Sequence, residues 1–391
     1  MLNKKLNILF LCSWFPNPEN KSNGIFIKHH AQVLAMQHNV TVLFVKSLDN
    51  ISKAYTTTVT EKNYTEQCLF YPKVKIEIPF LSSIKKFSSY LSHYKSLLNN
   101  TQKENASFDI IHLNTIFPAA IPTFYALKKY PQAKLFITEH WSGYYPEDKN
   151  YKGFFTKLFT KKIVKKATSV FVINNRLQSA MENHNLVSNY ELVNNTVNTT
   201  VFYPVNSDIN TNENILKILH VSSLVNREKN IVDIISIVEK LKANNVNCNL
   251  TIIGENKDEQ SFYEKLISEK KLKDIIIFIG YKTQTEIACY LNNSDVFLLF
   301  SNFEGMPNVL LESLACGLPV ITTNVGMVTK MIPEKMGIIL KTNSINECVT
   351  ELQKYKRASF LNKEAMHQHI EITYSALAVS NQITSLYQKY L

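Results

Sequence analysis

The sequence predicts an α/β fold made of two doubly wound domains, each with a parallel sheet covered by helices on both faces. Short segments that are apolar almost throughout alternate with amphipathic helical segments along both halves of the chain. Such segments are typical of strands buried on both faces of a parallel sheet. The alternation is interrupted near residues 202–214, where turn-forming residues accumulate. The length of 391 residues suits two or three domains at roughly 150 residues each.

The first half contains five predicted strands and four predicted helices. The strands are residues 7–13, 40–45, 110–113, 135–138 and 169–173, and the helices are 25–37, 84–99, 118–129 and 154–166. The second half repeats the pattern, with strands at 216–221, 250–253, 275–279, 296–300, 320–323 and 338–340 and helices at 231–242, 258–270, 283–292 and 307–316. We therefore expect an N-terminal domain over residues 1–205, joined by a C-terminal helix at 375–391, and a second domain over 206–374.

Composition excludes several classes of protein. Hydrophobic residues make up 45% of the chain and charged residues 19%, which excludes a disordered chain. The chain has 9 glycines, too few for a collagen-like or glycine-rich linker sequence. The formal net charge of +11 favours an anionic partner. The N-terminus resembles a signal peptide, but its apolar core at 8–12 is short, so we expect a buried first strand in a cytoplasmic protein.

The most informative segment is 301–326, SNFEGMPNVLLESLACGLPVITTNVG. Ligands of doubly wound sheets bind beyond the carboxyl ends of the strands, where this segment begins. Pro307 suits a first helical turn, and the helix start around Asn308 suits a diphosphate. Glu304 and Glu312 are placed to accept hydrogen bonds from sugar and ribose hydroxyls. The alternative is that both are solvated surface carboxylates.

Two further loops follow predicted strands. The loop at 222–230 carries Arg227 and Lys229 and precedes a helix, an arrangement that also suits a diphosphate. The alternative is that these two residues are solvated surface charges. His140 directly follows strand 135–138, and His112 ends another strand; each is either a site residue or a structural histidine. The glycine of Asn23-Gly24 lies before the first helix and serves either a ligand or only the helix start.

Together these segments resemble the signature of retaining glycosyltransferase family 4. Glu304 and Glu312 match its E-x7-E motif, and Gly317 to Val320 match G-x-P-V. The resemblance extends over almost the whole chain, and its other matching segments are 24–26, 195–204, 250–255 and 278–280. Two positions depart from the pattern: Ser223 stands where the family has an arginine, and Lys330 stands where it often has a glutamate.

The resemblance implies a GT-B fold, with two Rossmann-like domains facing a cleft. It further implies retaining transfer of a hexosyl or N-acetylhexosaminyl group from a UDP- or GDP-sugar to a glycan or lipid-linked acceptor. The catalytic residues would be His140, Lys229 and Glu304. Donor-binding residues would be Gly24, Arg227, Lys229, Glu304, Gly305, Met306, Pro307, Asn308, Val309, Leu310 and Glu312. Glu255 and Tyr281 would lie near the nucleobase, and Asn23 and His112 on the acceptor side.

No metal or other cofactor is expected, because the chain contains no Asp-x-Asp motif. Arg227 is the candidate substitute for the arginine missing at Ser223. A nucleotide-sugar epimerase and a non-catalytic nucleotide-sugar-binding protein remain as alternatives. A nucleic-acid partner is not expected, since only the net charge favours one. The basic helix 154–166 and the segment Lys85-Lys86-Phe87 suit either an anionic membrane surface, here the inner face of the cytoplasmic membrane, or plain solvent.

Overall fold

The computed structural model describes residues 4–21, 23–74, 79–101, 107–148, 150–205, 215–256, 258–342 and 344–391, with only the backbone for 79–83. The chain divides into two compact units. The first comprises Met1–Asn195 and Val379–Leu391, and the second Thr196–Ala378. Residues 196–205 thus belong to the second unit, not to the first as predicted, because Phe202 is fully buried in the second core and the Val197 N–H donates to the Tyr374 carbonyl.

The first unit contains an eight-stranded sheet in the order β3-β4-β2-β1-β5-β6-β7-β8. The strands are β1 Asn7–Cys12, β2 Asn39–Leu48, β3 Tyr55–Glu61, β4 Tyr64–Pro72, β5 Ile110–Asn114, β6 Lys134–Glu139, β7 Ser169–Val172 and β8 Tyr190–Leu192. Strand β3 pairs antiparallel with β4, and the other neighbours are parallel. The parallel prediction is therefore confirmed except at this edge. Strands β3, β4 and β8 were not predicted; β3 is exposed along its whole length and lacks an apolar run.

Helices cover both faces of this sheet. They are α1 Ile25–Leu34, α2 Pro79–Asn100, α3 Ala120–Lys129, α4 Phe154–Lys166 and α5 Asn175–Asn183, together with most of α14 Ala376–Tyr390. One core lies between the sheet and the side chains of α2 to α5. On the other face, His38 Nε2 lies 2.9 Å from Thr384 Oγ1 of α14, so the C-terminal helix packs on the first unit as expected.

The second unit contains a six-stranded sheet that is parallel throughout. Its order is β11-β10-β9-β12-β13-β14, a doubly wound arrangement in which the chain direction across the sheet reverses between β9 and β12. The strands are β9 Leu216–Val221, β10 Cys248–Ile253, β11 Ile276–Ile279, β12 Val296–Leu299, β13 Val320–Thr323 and β14 Gly337–Leu340. This reversal point is where ligands of such sheets bind.

Short helices connect these strands. They are α6 Asn226–Lys229, α7 Ile231–Ala243, α8 Gln260–Glu269, α9 Gln284–Asn292, α10 Asn308–Ala315, α11 Val328–Met331, α12 Ile345–Gln353 and α13 Lys363–Tyr374. Helices α13 and α14 are separate, because the backbone is extended at Ser375 between them. Within the described part of the chain, no helix has the length and apolarity needed to cross a bilayer.

Candidate functional site

In the second unit, the loops that follow β9 and β12 are bonded to each other. The Asn302 N–H donates to the Glu228 carbonyl at 2.8 Å, and the Asn302 side-chain amide donates to the Arg227 carbonyl at 3.2 Å. Because β9 and β12 are parallel neighbours, both loops leave the same edge of the sheet. The chain direction reverses between these two strands, so the loops form the structural centre of the candidate site.

Lys229 and Glu304 form an ion pair across these loops. The Nζ of Lys229 lies 2.7 Å from Oε1 of Glu304, and the side chains are only 17% and 8% exposed. The same Oε1 accepts a hydrogen bond from the Ser301 hydroxyl at 2.8 Å. A poorly hydrated ion pair needs such additional hydrogen bonds to offset its desolvation. An incoming anion would compete with the Glu304 carboxylate for the Lys229 ammonium group.

The Glu304 loop rests on the end of the next strand. The Thr323 hydroxyl donates to the Ser301 carbonyl at 2.6 Å, and the Met327 N–H donates to the Gly305 carbonyl at 3.1 Å. Gly326 has φ +60°, and a Cβ at this position would lie 2.4 Å from the carbonyl oxygens of Glu304 and Gly305. The close approach therefore requires glycine and holds the loop against β13.

Helix α10 begins at Asn308, with Pro307 as the extended residue before it, one residue later than predicted. No side chain caps this helix start, so the first turn offers backbone N–H groups to an anion. The side chains of Met306 and Leu310 are buried, so these residues would contact a donor only through their backbone atoms. The Oδ1 atom of Asn308 is buried and has no hydrogen-bond partner among the described residues.

Glu312 lies half-buried on α10. Burial raises the pKa of its carboxyl to about 7. Across the described ranges, no hydrogen bond or ion pair to this carboxylate is present. A carboxyl group that titrates near neutrality and lacks a protein partner is suited to binding hydroxyl groups.

The buried imidazole of His220 in β9 holds the loop before Lys229 through hydrogen bonds. This role was not predicted from the sequence. Its Nδ1 lies 2.8 Å from the Leu298 carbonyl, which can only accept, so this nitrogen carries the proton. Nε2 therefore accepts from the Ser222 hydroxyl at 2.8 Å, and that oxygen accepts the Leu224 N–H at 3.1 Å. Burial lowers the pKa of His220 to about 4, so the ring is neutral. The only signal in the sequence is a His-x-Ser at a strand end.

The other predicted residues of this unit are more exposed. Arg227 is exposed beside Lys229, and Glu255 and Tyr281 follow β10 and β11 at the same sheet edge. Tyr281 is 69% exposed. Their donor-binding roles stay predictions.

In the first unit, a buried carboxylate organises the loops after β5 and β6. Glu139 Oε1 accepts the N–H groups of His140 and Trp141, and Oε2 accepts the Ile116 N–H and the Tyr144 hydroxyl, all at 2.8 to 3.1 Å. Burial raises the pKa of this carboxyl although the four donors oppose the effect. This role was not predicted; the signal in the sequence is an acidic residue directly after an apolar strand.

His140 keeps one ring nitrogen without a protein partner. Its Nε2 is buried and makes no hydrogen bond to any residue that the structure describes. The ring centroid lies 4.3 Å from that of Phe26 at the start of α1. Burial lowers the pKa of His140 well below its ordinary value, so the imidazole is neutral. The geometry leaves His140 a candidate for orienting a substrate.

His112 instead lies in the core of the first unit. It is 1% exposed, its Nδ1 bonds to the Tyr387 hydroxyl of α14, and its Nε2 lies 2.6 Å from the Thr138 hydroxyl. Burial lowers the pKa of His112 to about 3. No ring nitrogen of His112 is therefore free for the predicted acceptor-side role, because this residue lies in the middle of β5 and contacts Tyr387 of α14.

Gly24 occupies the position before α1 with φ +64°. A Cβ there would lie 2.7 to 2.8 Å from backbone atoms of Trp14 and Phe15. This contact supports the alternative in which the glycine serves the helix start. Asn23, predicted on the acceptor side, donates its N–H to Asn20 Oδ1 at 3.1 Å. A ligand role for either residue stays a prediction.

Residues 204–373 match the family model "Glycosyl transferases group 1". The chain is 27% identical to the putative colanic acid biosynthesis glycosyltransferase WcaL of Salmonella typhimurium over 38% of this chain and 39% of WcaL. It is 31% identical to the N-acetyl-alpha-D-glucosaminyl L-malate synthase of Bacillus anthracis over 32% of this chain and 31% of that protein. The chain thus aligns with well under half the length of these curated relatives.

Solved structures match over nearly the full chain. Sucrose-phosphate synthase of Thermosynechococcus elongatus superposes with a TM-score of 0.75 at 18% identity and covers 98% of both chains. Anabaena HepE in complex with UDP and glucose superposes with a TM-score of 0.69 at 14% identity, over 98% of this chain and all of that one. These likenesses establish the GT-B fold that the sequence predicted.

Proposed function

We propose that this chain, whose residues 204–373 match the family model "Glycosyl transferases group 1", is a retaining, metal-independent glycosyltransferase. It would move a hexosyl or N-acetylhexosaminyl group from a UDP- or GDP-sugar to a glycan or lipid-linked acceptor. The observation that carries the proposal is the Lys229–Glu304 pair at the reversal point of the second sheet. WcaL, a relative named for colanic acid biosynthesis, supports a role in making a polysaccharide or glycolipid.

The donor diphosphate binds near Lys229 and the first turn of α10. Lys229 supplies a positive charge, and the uncapped helix start supplies oriented N–H groups. Arg227 is exposed and adds a second charge where Ser223 cannot. Glu304 and Glu312 accept hydrogen bonds from the donor sugar and the ribose. Glu255 and Tyr281 lie near the base.

The proposed transfer is a same-face attack by the acceptor. The acceptor hydroxyl oxygen bonds to the anomeric carbon while the bond from that carbon to the diphosphate oxygen breaks. The hydroxyl proton passes to the departing phosphate oxygen, whose charge Lys229 and the helix start stabilise. His140, a neutral imidazole of the first unit, keeps its predicted role in orienting a substrate. No carboxylate nucleophile is assigned.

A nucleotide-sugar panel tests this proposal. Thermal shift with UDP- and GDP-sugars identifies the donor, since a bound ligand raises the melting temperature by mass action. We expect the donor so identified to release its nucleoside diphosphate only when an acceptor is present, with unchanged rate in EDTA. NMR of the product should show the anomeric configuration of the donor.

The same experiment separates the two alternatives. An epimerase would change the sugar without an acceptor, and a non-catalytic binding protein would bind the donor and return it unchanged. Absence of binding by every nucleotide sugar would contradict all three proposals. Loss of activity in EDTA would contradict metal independence alone.

We also propose that α4 attaches this cytoplasmic protein to an anionic membrane surface. Phe154 and Phe155 at its start are 74% and 69% exposed. Five exposed lysines follow in the same helix: Lys157, Lys161, Lys162, Lys165 and Lys166. The sequence contains no acidic residue from 149 to 181. Exposed aromatic rings beside lysines with no acidic neighbour in the sequence suit anionic lipid head groups. The exposed segment Lys85-Lys86-Phe87 of α2 has the same combination of lysine and phenylalanine.

Vesicle flotation tests the membrane proposal independently of activity. We expect the protein to float with vesicles rich in phosphatidylglycerol and to remain in solution with phosphatidylcholine alone. The double change Phe154→Ser and Phe155→Ser should abolish flotation. Phe262→Ser, at a phenylalanine of the second unit that is 55% exposed, is the control and should float like the wild type. Equal flotation of both variants would contradict the proposal.

A further inference from the structure

The Ser301 hydroxyl is directed at the Glu304 carboxylate from within the protein. Ser301 is 1% exposed, and its Oγ lies 2.8 Å from Glu304 Oε1. Because an ionised carboxylate only accepts hydrogen bonds, Ser301 is the donor. We propose that Ser301 is a positioning residue that holds Glu304 in place when the donor diphosphate draws Lys229 away. This inference rests on the proposed function and adds a residue to it.

The ion pair cannot persist unchanged when a diphosphate binds. Lys229 carries a compact charge on a flexible stem, and a diphosphate is a stronger attractor for it than one carboxylate. Among the described residues, Lys229 and Ser301 are the two donors to Glu304. When Lys229 turns to the phosphate, an 8% exposed carboxylate retains only the Ser301 hydroxyl. A buried carboxylate without a donor would shift or become protonated, and it would no longer accept from a sugar hydroxyl.

Ser301 is itself firmly held. It follows β12, and its carbonyl accepts the Thr323 hydroxyl at 2.6 Å. Thr323 is 2% exposed and ends β13, which pairs with β12. The Ser301 backbone is thus fixed by the neighbouring strand, and its short side chain has few conformations. The flexible four-carbon side chain of a lysine cannot hold Glu304 in place as precisely as Ser301 does.

The variant Ser301→Ala tests the inference through a split between binding and turnover. Affinity for UDP or GDP alone, measured by calorimetry, should fall by less than the kcat, because Lys229 and the α10 start are untouched and Glu304 need not stay ionised to bind the nucleotide. The kcat with the nucleotide sugar should fall about 10-fold to 100-fold, the range for losing a hydrogen bond to a charged group. Ser301→Cys keeps the volume but donates weakly, so its kcat should fall less.

Ser313→Ala is the matched control. Ser313 is fully buried in the same unit, and its hydroxyl donates to the Leu318 carbonyl at 3.0 Å, away from Glu304. This variant should keep its kcat. The inference is overturned if Ser301→Ala keeps the kcat of this control, or if its affinity for UDP or GDP falls as far as its kcat. Failure of the wild type to bind either nucleotide would instead overturn the proposed function first.

Discussion

The two units share one architecture but use the polar residues after their strands differently. In the second unit, Lys229 and Glu304 come from loops after β9 and β12 and contact each other. In the first unit, His112 bonds to Tyr387 and Thr138, and Glu139 binds the backbone of its own loops. A polar residue at a strand end therefore does not by itself mark a ligand site. We expect opposite charges that meet at the reversal point of a sheet to be a better indicator of a ligand site than a position at a strand end.

The largest expected effect is at the ion pair of the second unit. Glu304→Gln keeps the shape but removes the charge that faces Lys229 and the sugar. We expect the transfer rate to fall about 100-fold to 1,000-fold, as when one transition-state contact is removed. The measurement is kcat/KM with the donor found by the panel. The control is Glu286→Gln in the half-buried Lys282–Glu286 pair, which lies 2.9 Å apart at the start of α9 and should leave the rate unchanged.

A transfer rate for Glu304→Gln equal to that of the wild type would mean that the two units do not differ in how they use their polar residues. It would mean that the charges of the second unit stabilise structure in the same way as Glu139 stabilises the first.

The second effect is on stability in acid, and it should be larger in the first unit. Burial lowers the pKa of His30 to about 4, that of His112 to about 3, and also those of His38 and His140. Below an unfolded pKa of about 6.5, the unfolded chain takes up protons that the folded chain does not. The free energy of unfolding therefore falls as the pH drops from about 6.5 towards 4, by up to about 1.4 kcal/mol per pH unit for each such histidine.

Carboxyl groups with raised pKa oppose this effect, because they bind protons more readily in the folded state. In the first unit, Glu139 opposes five histidines, the four named above and His29, whose pKa burial also lowers. In the second, Glu312, with a pKa of about 7, opposes His220 and His369, whose pKa values burial lowers. The second unit should therefore lose less stability between pH 7 and pH 5.

Urea unfolding at both pH values measures this difference. Both tryptophans, Trp14 and Trp141, lie in the first unit, so their fluorescence reports on it, while circular dichroism reports on both units. A fluorescence midpoint that does not move between pH 7 and pH 5 would contradict the assignment of neutral buried histidines.

The third effect separates structure from function at His112. Tyr387→Phe leaves the Nδ1 of His112 without its partner and should lower the unfolding free energy by about 1 to 3 kcal/mol. Tyr390→Phe is the control on the same helix, where the hydroxyl donates to the Glu191 carboxylate at 2.7 Å, and it should lower the unfolding free energy less. Activity at a permissive temperature should stay near wild type. A specific rise in acceptor KM would restore the acceptor-side prediction for His112.

The smallest effect concerns Glu312. With a pKa of about 7, its carboxyl becomes ionised between pH 6 and pH 8, and the ionised form accepts hydroxyl hydrogen bonds better. Donor affinity should rise over this range by up to about tenfold. Glu312→Gln should remove this dependence, and Glu264→Gln on exposed α8 should retain it. Identical pH profiles for wild type and Glu312→Gln would show that this carboxyl does not bind the donor.

Much of the fold could be predicted from the sequence because its signals are local. The predicted bounds of β9 and β13 agree with the structure, since both are short apolar runs between turn residues. The prediction missed β3 because its pairing with β4, not its own residues, makes it a strand. The GT-B fold was predicted through motif residues and is confirmed by the solved structures.

The candidate site was predictable only in outline. The sequence places Lys229 and Glu304 after neighbouring strands, but the two are 75 residues apart, and their contact depends on how β9 and β12 align. Ser301 and His220 carry no motif that distinguishes them from other buried polar residues. Their roles follow from hydrogen-bond partners that only the folded chain supplies.

By itself, the sequence determined the alternation of strands and helices, the two-unit architecture and the set of charged residues available at the sheet edges. The tertiary structure decided which of these residues meet, which histidines are neutral core residues and where the boundary between the units lies. The physical reason is distance along the chain. Periodicity and turn preferences act over a few residues, whereas burial and ion pairing depend on strand order and register, which bring distant segments together.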